Sequence, residues 1–262
     1  MLRLQVVMTV LLVGFLGGTT AGCSTVGTGA ADALVPIEEE NRLGREIASE
    51  LEQELEFSDD RQLAGYVELL GREVLAETTE REGLEFEFHL VDDDEMINAF
   101  AIPGGGIYIY TGLIKAMDNE AELTAVLGHE IAHVTRRHIA QRLVAIYGIE
   151  VVSQMALGQE AGLLAQLVTA IVQQGFMLSY SREHERDADR WGVRYQAAAG
   201  WNPEGFVTFF QKLEDQPSPP TFLSTHPPPA ERIENIRRHI DDLDQVPTEL
   251  GEERFERMRG RI

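Results

Sequence analysis

One cysteine, Cys23, stands in 262 residues, so no internal disulfide framework holds this chain together. Lysine is almost as scarce: Lys115 and Lys212 are the only two, and arginine supplies the other basic positions. Lys and Arg together number 22 against 44 Asp and Glu, giving a formal net charge of −22. Such a surface repels nucleic acid and anionic lipid headgroups, so neither is an expected partner, and it is compatible with salt-rich surroundings that screen its self-repulsion. No apolar run reaches the length of a comfortable membrane span, and no repeat of tetratricopeptide length is present. What remains is an ordinary globular composition, 44% hydrophobic and 25% charged, with length for one sizeable domain or two small ones.

The chain is organised around Leu127-Gly128-His129-Glu130-Ile131-Ala132-His133-Val134, a His-Glu-x-x-His pattern. On an α-helix, positions four apart differ by about 40° around the axis, so His129 and His133 point the same way and can grip one metal ion. Glu130, about 60° from His133, lies near the ion but off it, where a carboxylate suits a general base better than a ligand. A single zinc ion fits this pattern. Asn119 followed by Glu122 can form a capping box, and Ala121, Leu123, Val126, Leu127 and Ile131 supply apolar flanks for burial. If the helix runs unbroken from about Asn119 to Tyr147, His138 falls about 180° from His129 and faces away from the metal. That position reads as structural, and the third ligand must come from elsewhere.

Residues 1 to 22 read as an export signal, with Arg3, an apolar run from Leu4 to Leu16 and then small residues. Thr20-Ala21-Gly22-Cys23 resembles a bacterial lipobox, with Thr20 where an aliphatic residue is usual. Cys23 is therefore the candidate lipidation site and the link to a membrane; a plain secreted protein is the alternative. Ser24 favours the outer membrane, by resemblance to bacterial lipoproteins. A lipidated Cys23 and flexible tether would occupy 23 to 35, a catalytic domain 36 to 240 and a charged tail 241 to 262.

Within the domain, helices are expected at about 37–55 and 60–76, with strands at 84–91 and 107–110. Pro103 and three glycines mark a turn, so a hairpin or meander precedes the metal helix. Asn98, Ala99 and Phe100 are the candidate edge against which an extended substrate would lie, the alternative being a plain core strand. Residues 148 to 160 read as irregular, and Leu163 to Leu178 as an apolar helix whose role is core packing rather than a membrane-touching hairpin.

The run from Ser179 to Arg190 is dense in mixed charge, usually the mark of a solvated helix face. It also offers Glu185 and Asp189 at i and i+4: one carboxylate could complete a His-His-Glu site while the other holds a ligand imidazole N–H. Six of the ten prolines fall between Pro217 and Pro229, which reads as a stiff non-helical loop containing His226. His226 is either a solvent-exposed loop residue or a group brought to the cleft. In the cleft it would donate to an oxyanion or, when neutral, take the open zinc position and keep the site inactive. Pro229 would open a last helix through about Ile240.

Taken together, His129-Glu130-x-x-His133, Glu185-x-x-Ala188-Asp189, Asn98-Ala99-Phe100 and Thr225-His226-Pro227 resemble the motifs of the gluzincin metallopeptidases of the HtpX, CAAX prenyl protease and BepA type. The similarity covers about residues 38 to 240, and the short envelope lipoproteins LoiP and YcaL match in length and leader. The resemblance implies His129, His133 and Glu185 as zinc ligands, Glu130 as base and Asp189 as support for a ligand. The expected fold is α+β, mainly helical with a small sheet beside the metal helix. The expected function is a zinc endopeptidase acting on misfolded or misassembled proteins of the bacterial envelope, in the periplasm and anchored to the outer membrane. The alternative is a non-catalytic, chaperone-like assembly factor using the same cleft, a reading that gives Glu130 no task.

Overall fold

Pro36 precedes α1 (Ile37–Glu54), which buries Leu43, Ile47 and Leu51 at the four-residue spacing of one helical face. The computed structural model of the chain describes residues 35–78, 82–174, 180–216, 218–226 and 231–262. The signal, Cys23, nearly all of the tether, the end of the apolar helix after 174 and Pro227 to Pro229 lie outside the described residues. Helix α2 (Arg61–Leu75) starts where the Asp60 carboxylate accepts from the backbone N–H groups of Gln62 and Leu63 at 2.9 and 3.0 Å. It buries Leu63, Val67, Leu70 and Val74.

Three short strands follow: β1 (Glu87–Val91), β2 (Ala99–Ala101) and β3 (Gly106–Tyr110), in the order β1-β3-β2. β2 and β3 form the antiparallel hairpin, with Phe100 opposite Tyr108, while β1 joins β3 in parallel. The turn between β2 and β3 needs glycine because Gly104 and Gly105 have φ of 83° and 124°. The short helix α3 (Thr111–Lys115) leads into α4 (Glu120–Thr135), which carries the His-Glu-x-x-His pattern.

Asn119 caps α4 as expected, with Glu122 N–H donating to Asn119 Oδ1 at 3.0 Å, but the return bond is shifted by one residue from that of a capping box: Glu122 Oε2 accepts from Asp118 N–H at 2.9 Å. Every residue of α4 is buried, because α2, the sheet and later helices surround it. The helix does not continue to Tyr147. It stops at Arg136, and Arg137 adopts a left-handed backbone with φ 58° before α5 (His138–Tyr147) sets off in a new direction. A non-glycine residue pays roughly 1–2 kcal/mol for that conformation. The offset comes from its buried guanidinium, which donates to Glu40 at 2.8 Å and to the carbonyl of Val35.

A second correction concerns residues 148 to 160. They are not irregular: Gly148, at φ 80°, turns the chain into α6 (Ile149–Ala156), which buries Val152 and Met155. Helix α7 (Ala161–Gln174) buries Leu164, Leu167, Val168 and Ile171 and packs on α1 and α6. Among the described residues no single helix is long and apolar enough to cross a membrane, although α6 and α7 together, bent by 91°, have the length and composition.

Helix α8 (Arg182–Ala198) begins at Ser181, whose hydroxyl accepts from His184 N–H at 3.1 Å. It packs against α4 at unusually short range. A Cβ placed on Gly128 would lie 3.0 Å from the Gly192 carbonyl oxygen, and one on Gly192 would lie 3.0 Å from the His129 nitrogen. The glycine pair thus brings the α8 carboxylates within reach of the α4 histidines. Helix α9 (Glu204–Glu214) packs on α4. The proline-rich segment holds a short helix, α10 (Thr221–Thr225), where a non-helical loop was expected; burial of Phe222 and Leu223 fixes it.

Helix α11 (Arg232–Asp241) packs on α8 and α9, but it is not the last element. The segment read as a charged tail carries α12 (Glu252–Arg259), with Phe255 and Met258 buried. Ala121 N–H donates to Leu250 O at 3.1 Å, and the Arg254 guanidinium pairs with buried Glu120, which also accepts from the Tyr66 hydroxyl at 2.7 Å. The C-terminal segment therefore buttresses the start of the metal helix. The outcome is the expected α+β domain, mainly helical, with its small sheet against α4.

Candidate metal centre

His129, His133, Glu185 and His226 present their ligand atoms within 4.8 Å of one another, all four residues buried. His129 Nε2 lies 3.1 Å from His133 Nε2, 3.1 Å from His226 Nδ1 and 3.6 Å from Glu185 Oε2. Glu185 Oε1 lies 3.4 Å from His133 Nε2 and 3.2 Å from His226 Nδ1. Zinc bonded at about 2.0–2.1 Å in a tetrahedron needs its donors about 3.3 Å apart, so these separations fit a single ion. Imidazole nitrogens with one carboxylate are a donor set that zinc favours.

The four donors come from three places in the fold. His129 and His133 lie on one face of α4, Glu185 on the first turn of α8, and His226 at the C-terminal end of α10. The His226 ring stacks on Phe222 at 4.6 Å, and its backbone N–H donates to Phe222 O at 2.9 Å. Of the two readings of His226, the solvent-exposed loop residue is excluded: the side chain is 1% exposed and sits in the ligand set.

Asp189 stands behind the first histidine, with its Oδ1 3.1 Å from His129 Nδ1. It is clamped in turn by Arg232, whose Nε and Nη2 donate to the two Asp189 oxygens at 2.9 and 2.7 Å. Arg232 Nη1 reaches Glu185 Oε2 at 3.0 Å and donates to the His226 carbonyl at 3.1 Å. The guanidinium, itself buried, lies 4.1 Å from the centre of the Phe210 ring. One arginine thus ties together the Glu185 carboxylate, the Asp189 carboxylate behind His129 and the backbone of His226. The sequence pattern puts Arg232 only within the helix expected from Pro229 to about Ile240. A signal was available, because Arg232, Ile236 and Ile240 recur every four residues on the buried face of α11, where an arginine is out of place.

Glu130 is fully buried, and neither carboxylate oxygen has a hydrogen-bond partner among the described residues. His226 Nε2 stands 3.4 Å from its Oε1. Burial pushes the Glu130 carboxyl up to about 7, the range in which a carboxylate both accepts and releases a proton near neutrality. Glu185 is moved the opposite way. Burial alone would raise it, but His226 and Arg232 outweigh that and hold it well below the usual carboxylate range. Burial raises Asp189 to about 6 against the pull of Arg232. Glu130 and Glu185 are therefore held apart in basicity, the first near neutrality and the second ionised.

His138 departs from expectation, and Asn98, Ala99 and Phe100 fall in or beside the outer strand of the sheet. His138 does not face away from the site. The break at Arg137 resets the helix direction, and His138 Nδ1 lies 3.1 Å from His133 Nδ1. Asn98, Ala99 and Phe100 lie in or beside β2, the terminal strand of the sheet and a neighbour of α4, but all three are buried, and Phe100 stacks on Tyr108 at 4.8 Å. Tyr180, just ahead of α8, stacks on the His133 ring at 3.7 Å.

Three imidazoles and a carboxylate converging beside a second buried carboxylate, on a mainly helical domain, form a candidate single-metal centre. The chain belongs to peptidase family M48, whose sequence pattern matches residues 61–240. It is 32% identical over 248 residues to the beta-barrel assembly-enhancing protease of Yersinia pestis, covering 89% of this chain and 50% of that protein. The Escherichia coli K12 protein of the same name is 30% identical over 241 residues, covering 87% and 49%. The mitochondrial metalloendopeptidase OMA1 of Arabidopsis thaliana is 32% identical over 154 residues, covering 58% and 31%. The chain thus spans about half the length of the first two relatives.

Proposed function

We propose that this protein is a zinc-dependent endopeptidase of the bacterial cell envelope that cleaves misfolded or misassembled envelope proteins. The observation that carries the reading is the pairing of a convergent His-His-Glu-His set with a buried Glu130 whose oxygens accept no hydrogen bond among the described residues. The names of the Yersinia and Escherichia relatives support the envelope setting. Held by His129, His133 and Glu185, zinc would polarise the scissile carbonyl and acidify water. Glu130 takes a proton from the attacking water as its oxygen bonds to the carbonyl carbon. It then hands that proton to the amine nitrogen as the C–N bond breaks. Asp189 holds the His129 ring in the orientation that presents Nε2. The main chain of Asn98, Ala99 and Phe100, on the terminal strand beside α4, is the proposed docking edge for an extended peptide.

His226 supplies the fourth donor in the arrangement described here, and a catalytic zinc site keeps its fourth position open. The reading is therefore of a resting enzyme in which His226 must withdraw before substrate enters. His226→Ala should raise the turnover of an unfolded model protein several-fold over the parent, with bound zinc measured on both. Unchanged turnover would discard the gate. Zinc on the parent with no cleavage by either protein would instead favour a binding factor.

Attachment to the outer membrane through a lipidated Cys23 is the proposed location. Cys23→Ser should move the mature protein from the membrane fraction to the soluble one; retention in the membrane overturns the anchor.

A further inference from the structure

His133 is held from behind by a different device from the one that holds His129. Its Nε2 faces the other ligand atoms, 3.1 Å from His129 Nε2 and 3.4 Å from Glu185 Oε1, so as a ligand it keeps its proton on Nδ1. That Nδ1 lies 3.1 Å from His138 Nδ1. The geometry admits one consistent set of tautomers along the chain of groups. His133 Nδ1–H donates to His138 Nδ1, and His138 carries its own proton on Nε2, which faces Asp187 Oδ2 at 3.3 Å. Arg136 Nε donates to the same Asp187 oxygen at 2.8 Å. The His184 ring lies parallel to His138 at 4.5 Å and 9°, fixing its plane.

We infer that His138, oriented by Asp187, is a positioning residue for the second metal ligand: it accepts the His133 Nδ1 proton and so aims His133 Nε2 at the metal. The break at Arg137 makes this possible, because an unbroken helix would carry His138 to the opposite side. The two histidine ligands then differ in kind. His129 donates directly to a carboxylate, Asp189, while His133 donates to a neutral imidazole that passes the charge of Asp187 along one more hydrogen bond. Groups that orient a ligand imidazole in this way govern metal retention.

The inference rests on His133 being a metal ligand, and the test separates the two. Zinc affinity of the full chain is measured by competition with a chromophoric chelator for the parent, His138→Phe, His138→Asn and Asp187→Asn, with circular dichroism to verify folding. Phe keeps the bulk and the stacking on His184 but removes the acceptor; Asn keeps an acceptor near the Nδ1 position with less bulk. Loss of an orienting partner costs about 10–100-fold in affinity for His138→Phe, while His138→Asn should stay within about threefold of the parent. A purely space-filling His138 would give the reverse order. Phe at parental affinity, or Asn as weak as Phe, overturns the positioning role. If His138→Phe does not fold, Asp187→Asn, at a partly exposed position, decides: a several-fold loss supports the role and no change overturns it. A parent that binds no zinc overturns the metal reading itself.

Discussion

Glu130→Gln is expected to leave zinc content unchanged while turnover of an unfolded protein falls by about 10²–10⁴-fold, the usual cost of losing a positioned acid–base group. The amide is nearly isosteric and belongs to none of the converging ligand atoms, so His129, His133, Glu185 and His226 keep their places. It cannot take a proton from water. Stability should not fall, because the carboxylate is buried and neither oxygen accepts a hydrogen bond among the described residues; a neutral amide relieves that desolvation. Loss of activity with retained zinc and an unchanged or raised melting temperature is the combined signature. Full activity in Glu130→Gln would remove the proposed base, and loss of zinc would mean that Glu130 is a ligand.

The half of the site built on short sequence spacing is legible in the sequence alone. His129 and His133 lie four apart, as do Glu185 and Asp189, and a helix turns such spacing into a shared face whatever surrounds it. The unread half depends on contacts between distant residues. Nothing local announces the break at Arg137: neither glycine nor proline stands there, and its left-handed backbone is held by Glu40 and Val35, about a hundred residues away. The angle that sent His138 away from the metal was correct for an intact helix and failed with it. Helix α12 went unread for a related reason. Its two buried residues, Phe255 and Met258, sit among charges, and the helix packs on α2 and α4, far back in the chain. Helix α6 was hidden by its shortness between Gly148 and Gly158.

The break at Arg137 and helix α12 share a role with the glycine pair, which is to fix α4 among its neighbouring helices. Glycines at 128 and 192 set the distance between α4 and α8; Glu120, Tyr66 and Arg254 fix the start of α4; Arg137 ends it. The ligand spacing is therefore a property of three helix junctions and cannot be adjusted at one residue without moving the others.

Arg232→Met is expected to be the most destabilising change near the site, and more so without metal than with it. Removing the guanidinium leaves two buried carboxylates, Asp189 and Glu185, with only their histidine neighbours and frees the His226 carbonyl. Breaking one side of a buried charge pair costs about 3–5 kcal/mol, and for a domain of this size roughly 6–20 °C in melting temperature. A bound cation would neutralise part of the stranded charge on Glu185, so zinc should recover a portion of the loss. Arg232→Lys should recover little, because a single ammonium cannot donate to both Asp189 oxygens while also reaching Glu185 and the His226 carbonyl. Thermal unfolding of the parent and both variants, with and without chelator, checks each statement. A metal-free Arg232→Met protein melting within about 2 °C of its parent would mean that the buried pair contributes no net stability, as some buried pairs do when replaced by well-packed apolar groups.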